Sequence, residues 1–121
     1  MNSLEPVLLL PEKKWLVADP EISIVVPALN EEITIGEFVD WCWEGITKAG
    51  VRAEILIIDS STDNTAEIAL KKGAKVLKTQ KRGLGQAYLD ALDFISGKFL
   101  ILGDCDLTYD FREIAPFIEA Y

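Results

Sequence analysis

Short apolar runs alternate with segments of helical periodicity along this chain, and that alternation restricts its fold more than any other feature. The apolar runs predict buried strands at residues 22–26, 53–58, 74–78 and 98–102. Strands that are continuous apolar runs, separated by helices, indicate a parallel sheet with helices on both faces. We therefore expect an α/β fold, which is a Rossmann-like, three-layer α/β/α arrangement with a mostly parallel sheet.

Helices are expected between and after these strands, at about residues 31–49, 65–72, 86–96 and 111–120. In the first of them, apolar side chains recur every three or four residues, which places them on one helix face. Gly50 and Gly73 are expected to end the first two helices. Asn64, with Glu67 three residues later, predicts an N-cap pair for the second helix, and Asp110 predicts a cap for the last.

Composition and charge limit the classes of partner. Twenty acidic residues against twelve basic ones give a net charge of −8, which argues against nucleic acid and anionic membrane surfaces as main partners. The chain has no His, so a zinc site is not expected. Its two cysteines, Cys42 and Cys105, have no metal-like spacing and are expected to remain free thiols, as in a reducing cytoplasm.

One domain is expected from the length of 121 residues. Residues 1–20 are predicted to form an N-terminal arm that packs on the domain or frays, because Pro6, Pro11 and Pro20 limit regular structure there. Residues 21–121 are then the folded domain. The apolar run at residues 7–10 is too short for a membrane span and lacks the basic flank of a signal peptide.

Polar and charged residues follow each predicted strand. In an open parallel sheet the carboxyl ends of the strands meet at one edge, and ligands bind there. Singly, each of these residues has an ordinary role as a helix cap, a turn residue or a solvated charge. Their joint position at successive strand ends predicts a binding site made of Asn30, Glu31, Asp59, Lys81, Arg82, Asp104 and Asp106.

Asp104 and Asp106 suggest a metal within this site. Alternate side chains of an extended backbone point the same way, so the two carboxylates project to one side. Two adjacent carboxylates repel each other by about 1–4 kcal/mol near a surface, which a bound cation would offset. Oxygen ligands suit Mg²⁺ or Mn²⁺. The alternative is a pair of solvated loop acids, since the Asp-x-Asp tripeptide is common.

Two other classes of phosphate-binding or phosphate-accepting domain fit the sequence less well. A dinucleotide fingerprint needs its glycines directly after the first strand, whereas Gly83 and Gly85 follow the third, and position 88 is Tyr. A phosphoacceptor receiver domain needs an acidic pair after its first strand, where this chain has the segment PALN at residues 27–30. Neither class is expected.

Four motifs, taken in order, resemble those of the family 2 glycosyltransferases with the GT-A fold. They are residues 26–31 (VPALNE), 58–65 (IDSSTDNT), 82–88 (RGLGQAY) and the tripeptide at 104–106 (DCD). The last two look most like dolichyl-phosphate mannose synthases and related polyprenyl-phosphate sugar transferases. The resemblance implies a hexosyltransferase that takes a donor of the GDP-mannose or UDP-glucose type, with a polyprenyl phosphate as one candidate acceptor.

The resemblance also implies a role for each matching residue near the nucleotide. Pro27, Leu29 and Glu31 would form the wall of the nucleotide pocket. Asp59 would accept hydrogen bonds from the base.

Basic and acidic residues would meet the rest of the donor. Lys81 and Arg82 would lie near the nucleotide-sugar. Asp104 and Asp106 would hold the ribose and a divalent metal, Mg²⁺ or Mn²⁺, that bridges the diphosphate. An acidic pocket can hold a diphosphate only if a cation screens it.

The chain departs from the family pattern at three positions and in length. Ser60 stands where the family often has a second acid, Thr108 where the mannose synthases have Gln, and Cys105 where a small Ala is usual. Family members continue well beyond the Asp-x-Asp loop into an acceptor-binding half. We therefore expect a nucleotide-sugar-binding half that transfers sugar poorly or not at all by itself, with no catalytic residue assigned. The alternative is a non-catalytic remnant that acts as an assembly or interaction module.

Two expectations concern assembly and location. The resemblance to the GT-A fold implies that the strand at residues 98–102 lies beside the first strand, and its uncovered apolar edge then predicts a homo-oligomer. The protein is expected to be cytoplasmic, either free or peripheral at the cytoplasmic face of the membrane.

Overall fold

A computed structural model describes residues 6–80, 84–105, 107 and 110–114, and within them five strands form one sheet. The strands lie in the order β1-β4-β3-β2-β5, with β1 antiparallel to β4 and every other pair parallel. The mostly parallel sheet is confirmed, as is the position of the fourth predicted strand beside the first. The strands are β1 (Val7–Leu9), β2 (Ile22–Ala28), β3 (Ala53–Asp59), β4 (Lys75–Lys78) and β5 (Phe99–Leu102).

Helices cover both faces of this sheet. α1 (Ile35–Ala49) and α2 (Thr65–Lys71) pack on one face, and α3 (Leu84–Ala91) packs on the other. Successive side chains of a strand point to opposite faces, so Ile24 packs with α1 while its neighbour Val25 packs with α3. Both side chains are fully buried, which explains why the strands are continuous apolar runs. The predicted three-layer α/β/α arrangement is confirmed.

An edge strand lies in the segment that the sequence predicts as an N-terminal arm. β1 pairs with β4 along its whole length, so the expectation of little regular structure is wrong for these residues. A 3₁₀ turn after β1 stacks Trp15 on Trp43 of α1, with 5.6 Å between the ring centroids. Gly73 permits this contact, because a Cβ there would lie 2.5 Å from the Trp15 ring. Gly73 also has a φ of +101°, which residues other than glycine rarely adopt.

The start of α1 and the capping of α2 differ from the prediction, whereas α2 begins at Thr65 as expected. α1 begins at Ile35 rather than near Glu31, and the backbone N–H of Glu31 donates to Thr65 Oγ1 at the start of α2. The predicted N-cap pair of α2 is wrong, because the Asn64 side chain makes no cap hydrogen bond. Asp63 Oδ1 instead accepts the backbone N–H of Thr65 at 3.0 Å. Both differences involve side chains near the junction of the β3 loop with α2, which are Asp63 and Thr65.

The chain after β5 is anchored to α1. Asp110 accepts the backbone N–H of Arg112 at 2.9 Å, which confirms its predicted role as a cap. The 3₁₀ turn that begins at Phe111 sets this ring edge-on against Phe38, with centroids 5.0 Å apart. Gly45 makes room for the turn, since a Cβ there would lie 2.1 Å from the Phe111 carbonyl oxygen. The remainder of the predicted last helix, from residue 115, lies outside the described residues.

A buried glutamate joins three strands to the chain after α3. Glu54, whose side chain is 5% exposed, accepts from Ser23 Oγ at 2.6 Å and from Lys75 Nζ at 2.7 Å. Its carboxylate also accepts the backbone N–H groups of Ser96 and Gly97. These bonds hold the chain in an extended path before β5. α3 therefore ends earlier than the sequence predicts, and a 3₁₀ turn follows it.

Acid is expected to remove the stability that Glu54 contributes. Burial by itself would raise the pKa of Glu54, but the hydrogen bonds from Lys75, Ser23 and Ser96 outweigh it and lower the pKa below 4.5. A carboxyl group with a lower pKa in the folded state stabilises the fold above its unfolded pKa and loses this effect as the pH falls through its folded pKa. Urea unfolding between pH 7 and pH 3 should show a steeper decrease of the unfolding free energy below about pH 4.5 in the wild type than in Glu54→Gln. Equal slopes would contradict the assignment.

Candidate functional site

Hydrogen bonds hold together the loops that follow β2 and β3. The backbone N–H groups of Asn30 and Glu31 donate to Ser61 Oγ at 2.6 Å and to Thr65 Oγ1 at 2.9 Å. In the opposite direction, the N–H of Thr62 donates to Asn30 Oδ1 at 3.0 Å. Two motifs that are about 30 residues apart in the sequence therefore form one surface.

Asn30 has a different role from the helix cap that its position suggests. Its φ is +53°, a left-handed conformation that asparagine adopts more readily than most residues. In this conformation its backbone N–H and its side-chain oxygen both reach the loop after β3. The N-cap of α1 is Thr34. Asn30 thus bridges the two loops.

The loop after β5 reaches the same edge of the sheet. Thr34 Oγ1 donates to the carbonyl oxygen of Cys105 at 3.1 Å, and Cys105 Sγ lies 3.7 Å from the carbonyl oxygen of Pro27. The backbone N–H of Gly103 donates to the Val25 carbonyl oxygen at 3.3 Å. The ends of three adjacent parallel strands, β3, β2 and β5, therefore share one edge.

Both cysteines are buried, and neither forms a disulfide within the described residues, as the sequence predicts. Burial, and to a lesser extent the neighbouring Cys105, raises the pKa of the Cys42 thiol far above its usual range. A thiol with so high a pKa is not a nucleophile at neutral pH. Cys42 therefore serves packing.

Asp59, the last residue of β3, is enclosed by protein. Its side chain is 0% exposed. Oδ1 accepts the backbone N–H of Ser61 at 3.2 Å, and Oδ2 accepts from Lys78 Nζ at 2.6 Å. The Lys78 ammonium also donates to the Ser61 carbonyl oxygen at 3.0 Å. The Lys78 side chain is 35% exposed, so at the end of β3 the lysine is accessible to solvent and the Asp59 carboxylate is not.

Asp104 lies exposed directly after β5. Partial burial and then the negative charge of Asp104 raise the pKa of Tyr88 on α3, which places the phenol near this carboxylate. An exposed carboxylate suits Mg²⁺ or Mn²⁺ as one ligand among several. Within the described residues, no group of three His, Cys, Asp or Glu side chains could hold a metal ion by itself.

The other predicted site residues divide into two groups. Pro27, Leu29 and Glu31 lie at the end of β2 and in its loop, beside the loop that carries Ser61; Leu29 is exposed and the other two are partly exposed. The remaining predicted residues lie outside the described part of the chain, and they are Lys81, Arg82 and Asp106.

Sequence reasoning missed two residues of this edge. Lys78 is the last residue of β4, and the rule that selected polar residues at strand ends could have found it. The predicted strand at residues 74–78 includes Lys78, so the predicted site omits it. Tyr88 belongs to the motif at residues 82–88 and departs from the dinucleotide fingerprint, but no sequence signal indicates that it lies near Asp104. Both are brought to the edge by the packing of the sheet and of α3.

Comparison with known sequences supports a nucleotide-sugar site. The family model described as Glycosyl transferase family 2 matches residues 23–121. The chain is 40% identical over 100 residues to the low-salt glycan biosynthesis hexosyltransferase Agl6 of Haloferax volcanii, covering 83% of this chain and 24% of that protein. It is 31% identical over 102 residues to the dolichyl-phosphate hexose transferase of the same organism, covering 82% and 42%. The chain thus spans less than half the length of either relative.

Solved structures share the fold. The mannosyl-3-phosphoglycerate synthase from Rubrobacter xylanophilus superposes with a TM-score of 0.69 at 30% identity, covering 78% of this chain and 33% of that one. The glucosyl-3-phosphoglycerate synthase from Mycobacterium tuberculosis, in complex with Mn²⁺, uridine diphosphate and phosphoglyceric acid, has a TM-score of 0.62 at 33% identity, covering 72% and 33%. In the described part of this chain, no helix has the length and apolar character needed to cross a membrane.

Proposed function

Because the chain belongs to glycosyl transferase family 2, we propose that it binds a nucleotide-diphospho-sugar of the GDP-mannose or UDP-glucose type and serves metal-dependent transfer of the sugar to an acceptor. The observation that carries this proposal is the joining of the loops after β2, β3 and β5 at one edge of the sheet. Ligands of open parallel sheets bind at this edge. A relative of the same fold was solved with Mn²⁺ and uridine diphosphate, which supports the choice of ligand.

The nucleoside part of the donor is proposed to lie over the ends of β2 and β3. Pro27 and Leu29 offer apolar surface to a base, and Leu29 is 41% exposed, so its side chain is available for contact. Glu31 would complete the wall of the pocket. Asp59 would support recognition of the base from the end of β3.

The diphosphate is proposed to lie at the end of β5. Asp104 would contact the ribose, and Asp104 with Asp106 would hold Mg²⁺ or Mn²⁺. Once bound, such a cation screens the phosphates from the acidic residues and stabilises the departing nucleoside diphosphate. Lys81 and Arg82 follow β4 in the sequence and would add positive charge near the nucleotide-sugar.

Transfer requires an acceptor site as well. We propose residues 21–121 as the nucleotide-sugar-binding domain, with residues 1–20 as its arm. The likeness to a dolichyl-phosphate hexose transferase makes a polyprenyl phosphate a candidate acceptor. The chain covers 24% of the length of one relative and 42% of another. We therefore expect these 121 residues to bind a donor but to transfer its sugar poorly or not at all.

Calorimetric titration with UDP and GDP tests the proposal. We expect binding in the presence of Mn²⁺, and an affinity at least about tenfold lower in EDTA, because the phosphates then meet unscreened carboxylates. ADP and inorganic diphosphate serve as reference ligands. If no nucleoside diphosphate binds with Mn²⁺ present, the proposal is wrong.

The second candidate is a glycosyltransferase-fold module used for assembly. It is favoured by the exposed apolar side chains around β5 and α3, namely Leu89, Leu92, Phe99, Leu100 and Leu102. Surfaces of this kind mark interaction sites, and β5 is the last strand on its side of the described sheet. Failure to bind any nucleotide, together with a homo-oligomer in analytical ultracentrifugation, would favour this role. A monodisperse monomer would contradict self-assembly.

A further inference from the structure

We infer that Lys78 determines the specificity for the base: its ammonium group recognises the carbonyl oxygen of a keto base, uracil or guanine. The inference rests on the proposed function and adds to it the residue that selects the base. It assigns the contact to a residue that neither the sequence pattern nor the resemblance to the family selects. Asp59 is then a positioning residue, which acts on the ligand through Lys78.

The Lys78 ammonium has a hydrogen left for a ligand. A lysine ammonium carries three N–H donors. One donates to Asp59 Oδ2 at 2.6 Å and another to the Ser61 carbonyl oxygen at 3.0 Å. Within the described residues the third donor has no acceptor, and the side chain is 35% exposed. The group is therefore held on two sides and open on the third, which is the arrangement expected of a rigid donor in a binding site.

Asp59 cannot meet a ligand without a rearrangement. Its two oxygens already accept from Ser61 and Lys78, and none of its side-chain surface is exposed. A base that approaches the end of β3 therefore meets the ammonium before it meets the carboxylate. The carboxylate holds the ammonium in place, because moving the ammonium away would leave buried Asp59 with an uncompensated charge.

The position of Lys78 fits the base end of a nucleotide rather than the phosphate end. The strands run in the order β4-β3-β2-β5, so three strand spacings separate the end of β4 from the end of β5. Neighbouring strands lie about 4.8 Å apart, which gives a separation of about 14 Å. An extended nucleoside diphosphate with its phosphates near Asp104 would place its base toward β3 and β4, within reach of Lys78.

The charge of the ammonium selects the type of base. Uracil and guanine present carbonyl oxygens at positions where cytosine and adenine carry amino groups. An ammonium group attracts the carbonyl oxygen, whereas an amino group would direct its own N–H donors at the same cation. Sites built around such a donor discriminate strongly against a ligand that leaves it unpaired. UDP should therefore bind better than CDP, and GDP better than ADP.

Titration of Lys78→Met with these four nucleotides in Mn²⁺ tests the inference. In the wild type we expect UDP to bind at least about tenfold more tightly than CDP, as for a hydrogen bond with a charged partner. In Lys78→Met this ratio should fall to about threefold or less. Lys75→Met is the matched control: Lys75 lies on the same strand and pairs with buried Glu54 at 2.7 Å, far from the carboxyl edge. It should lose stability to a similar extent and keep the preference for UDP.

Two more variants keep the test decisive. Lys78→Arg retains the charge and should retain the preference for UDP. Should Lys78→Met not fold, the double variant Asp59→Asn with Lys78→Met removes both charges of the pair and should bind UDP and CDP about equally. A wild type without preference, or a Lys78→Met variant that keeps the wild-type ratio of UDP to CDP affinity, overturns the role of Lys78 and leaves the proposed function intact. A wild type that binds no nucleotide at all overturns both.

Discussion

Replacing Asp104 by asparagine is expected to lower the affinity for UDP in the presence of Mn²⁺ at least about 100-fold, which corresponds to about 2.7 kcal/mol. Asparagine keeps the size of the side chain and removes its charge, so the loss reports the contribution of the carboxylate to cation and diphosphate binding. Asp104 is exposed at the end of β5, so its replacement leaves the packing of the core unchanged. Calorimetry with Mn²⁺ and UDP measures the effect.

Asp93→Asn is the control for Asp104→Asn. Asp93 is an exposed acid of the 3₁₀ turn after α3, and its replacement makes the same change in net charge. It should leave the affinity within about twofold of the wild-type value, because exposed charges at a distance are largely screened by salt. Asp106→Ala should resemble Asp104→Asn. The metal assignment is wrong if both variants bind UDP as tightly in Mn²⁺ as the wild type does.

Replacing Glu54 by alanine is expected to lower the free energy of unfolding by about 3–5 kcal/mol. The change removes the acceptor of four donors at once: the Lys75 ammonium, the Ser23 hydroxyl and the backbone N–H groups of Ser96 and Gly97. Buried donors without partners are costly, and the lysine would also lose its counter-charge. Within the described part of the chain, the exposed Glu67 of α2 accepts no comparable group of hydrogen bonds.

Thermal unfolding measures this effect, and Glu67→Ala is its control. A loss of this size should lower the melting temperature by about 10 °C or more, whereas Glu67→Ala should change it by about 2 °C or less. Glu54 lies near the start of β3, at the opposite end of the strand from Asp59. Below its melting temperature, Glu54→Ala should therefore bind UDP like the wild type. A melting temperature equal to that of Glu67→Ala would show that these bonds do not stabilise the fold.

The strands of the central sheet were predictable because burial on both faces requires a local sequence pattern. Ile24 and Val25 are neighbours in the sequence and pack on opposite faces, so a strand inside two helical layers must be apolar at consecutive positions. The edge strand β1 has a weaker sequence pattern. It is three residues long and is defined by its pairing with β4, a partner about 70 residues away in the sequence.

The helix ends were less predictable, since partners from other segments decide them. The N–H of Glu31 bonds Thr65, and the N–H groups of Ser96 and Gly97 bond Glu54. The bonds to Glu54 take donors that a longer α3 would have used, whereas the Glu31 N–H, which has no acceptor within a helix that begins there, is paired by Thr65. Local propensity describes what a segment can do alone, and these segments have better partners elsewhere.

For the candidate site, the sequence by itself determined which chemical groups stand at the ends of the strands and in which order along the chain. The packed structure decided which of those groups a ligand can reach. Asp59 is charged and lies at a strand end, yet Lys78 and Ser61 enclose it, and the lysine takes its place at the surface. The physical reason is that accessibility depends on neighbours in the adjacent strand and loop. Residue type and spacing determine the strands, but the pairing of β3 with β4 determines which charge faces the solvent.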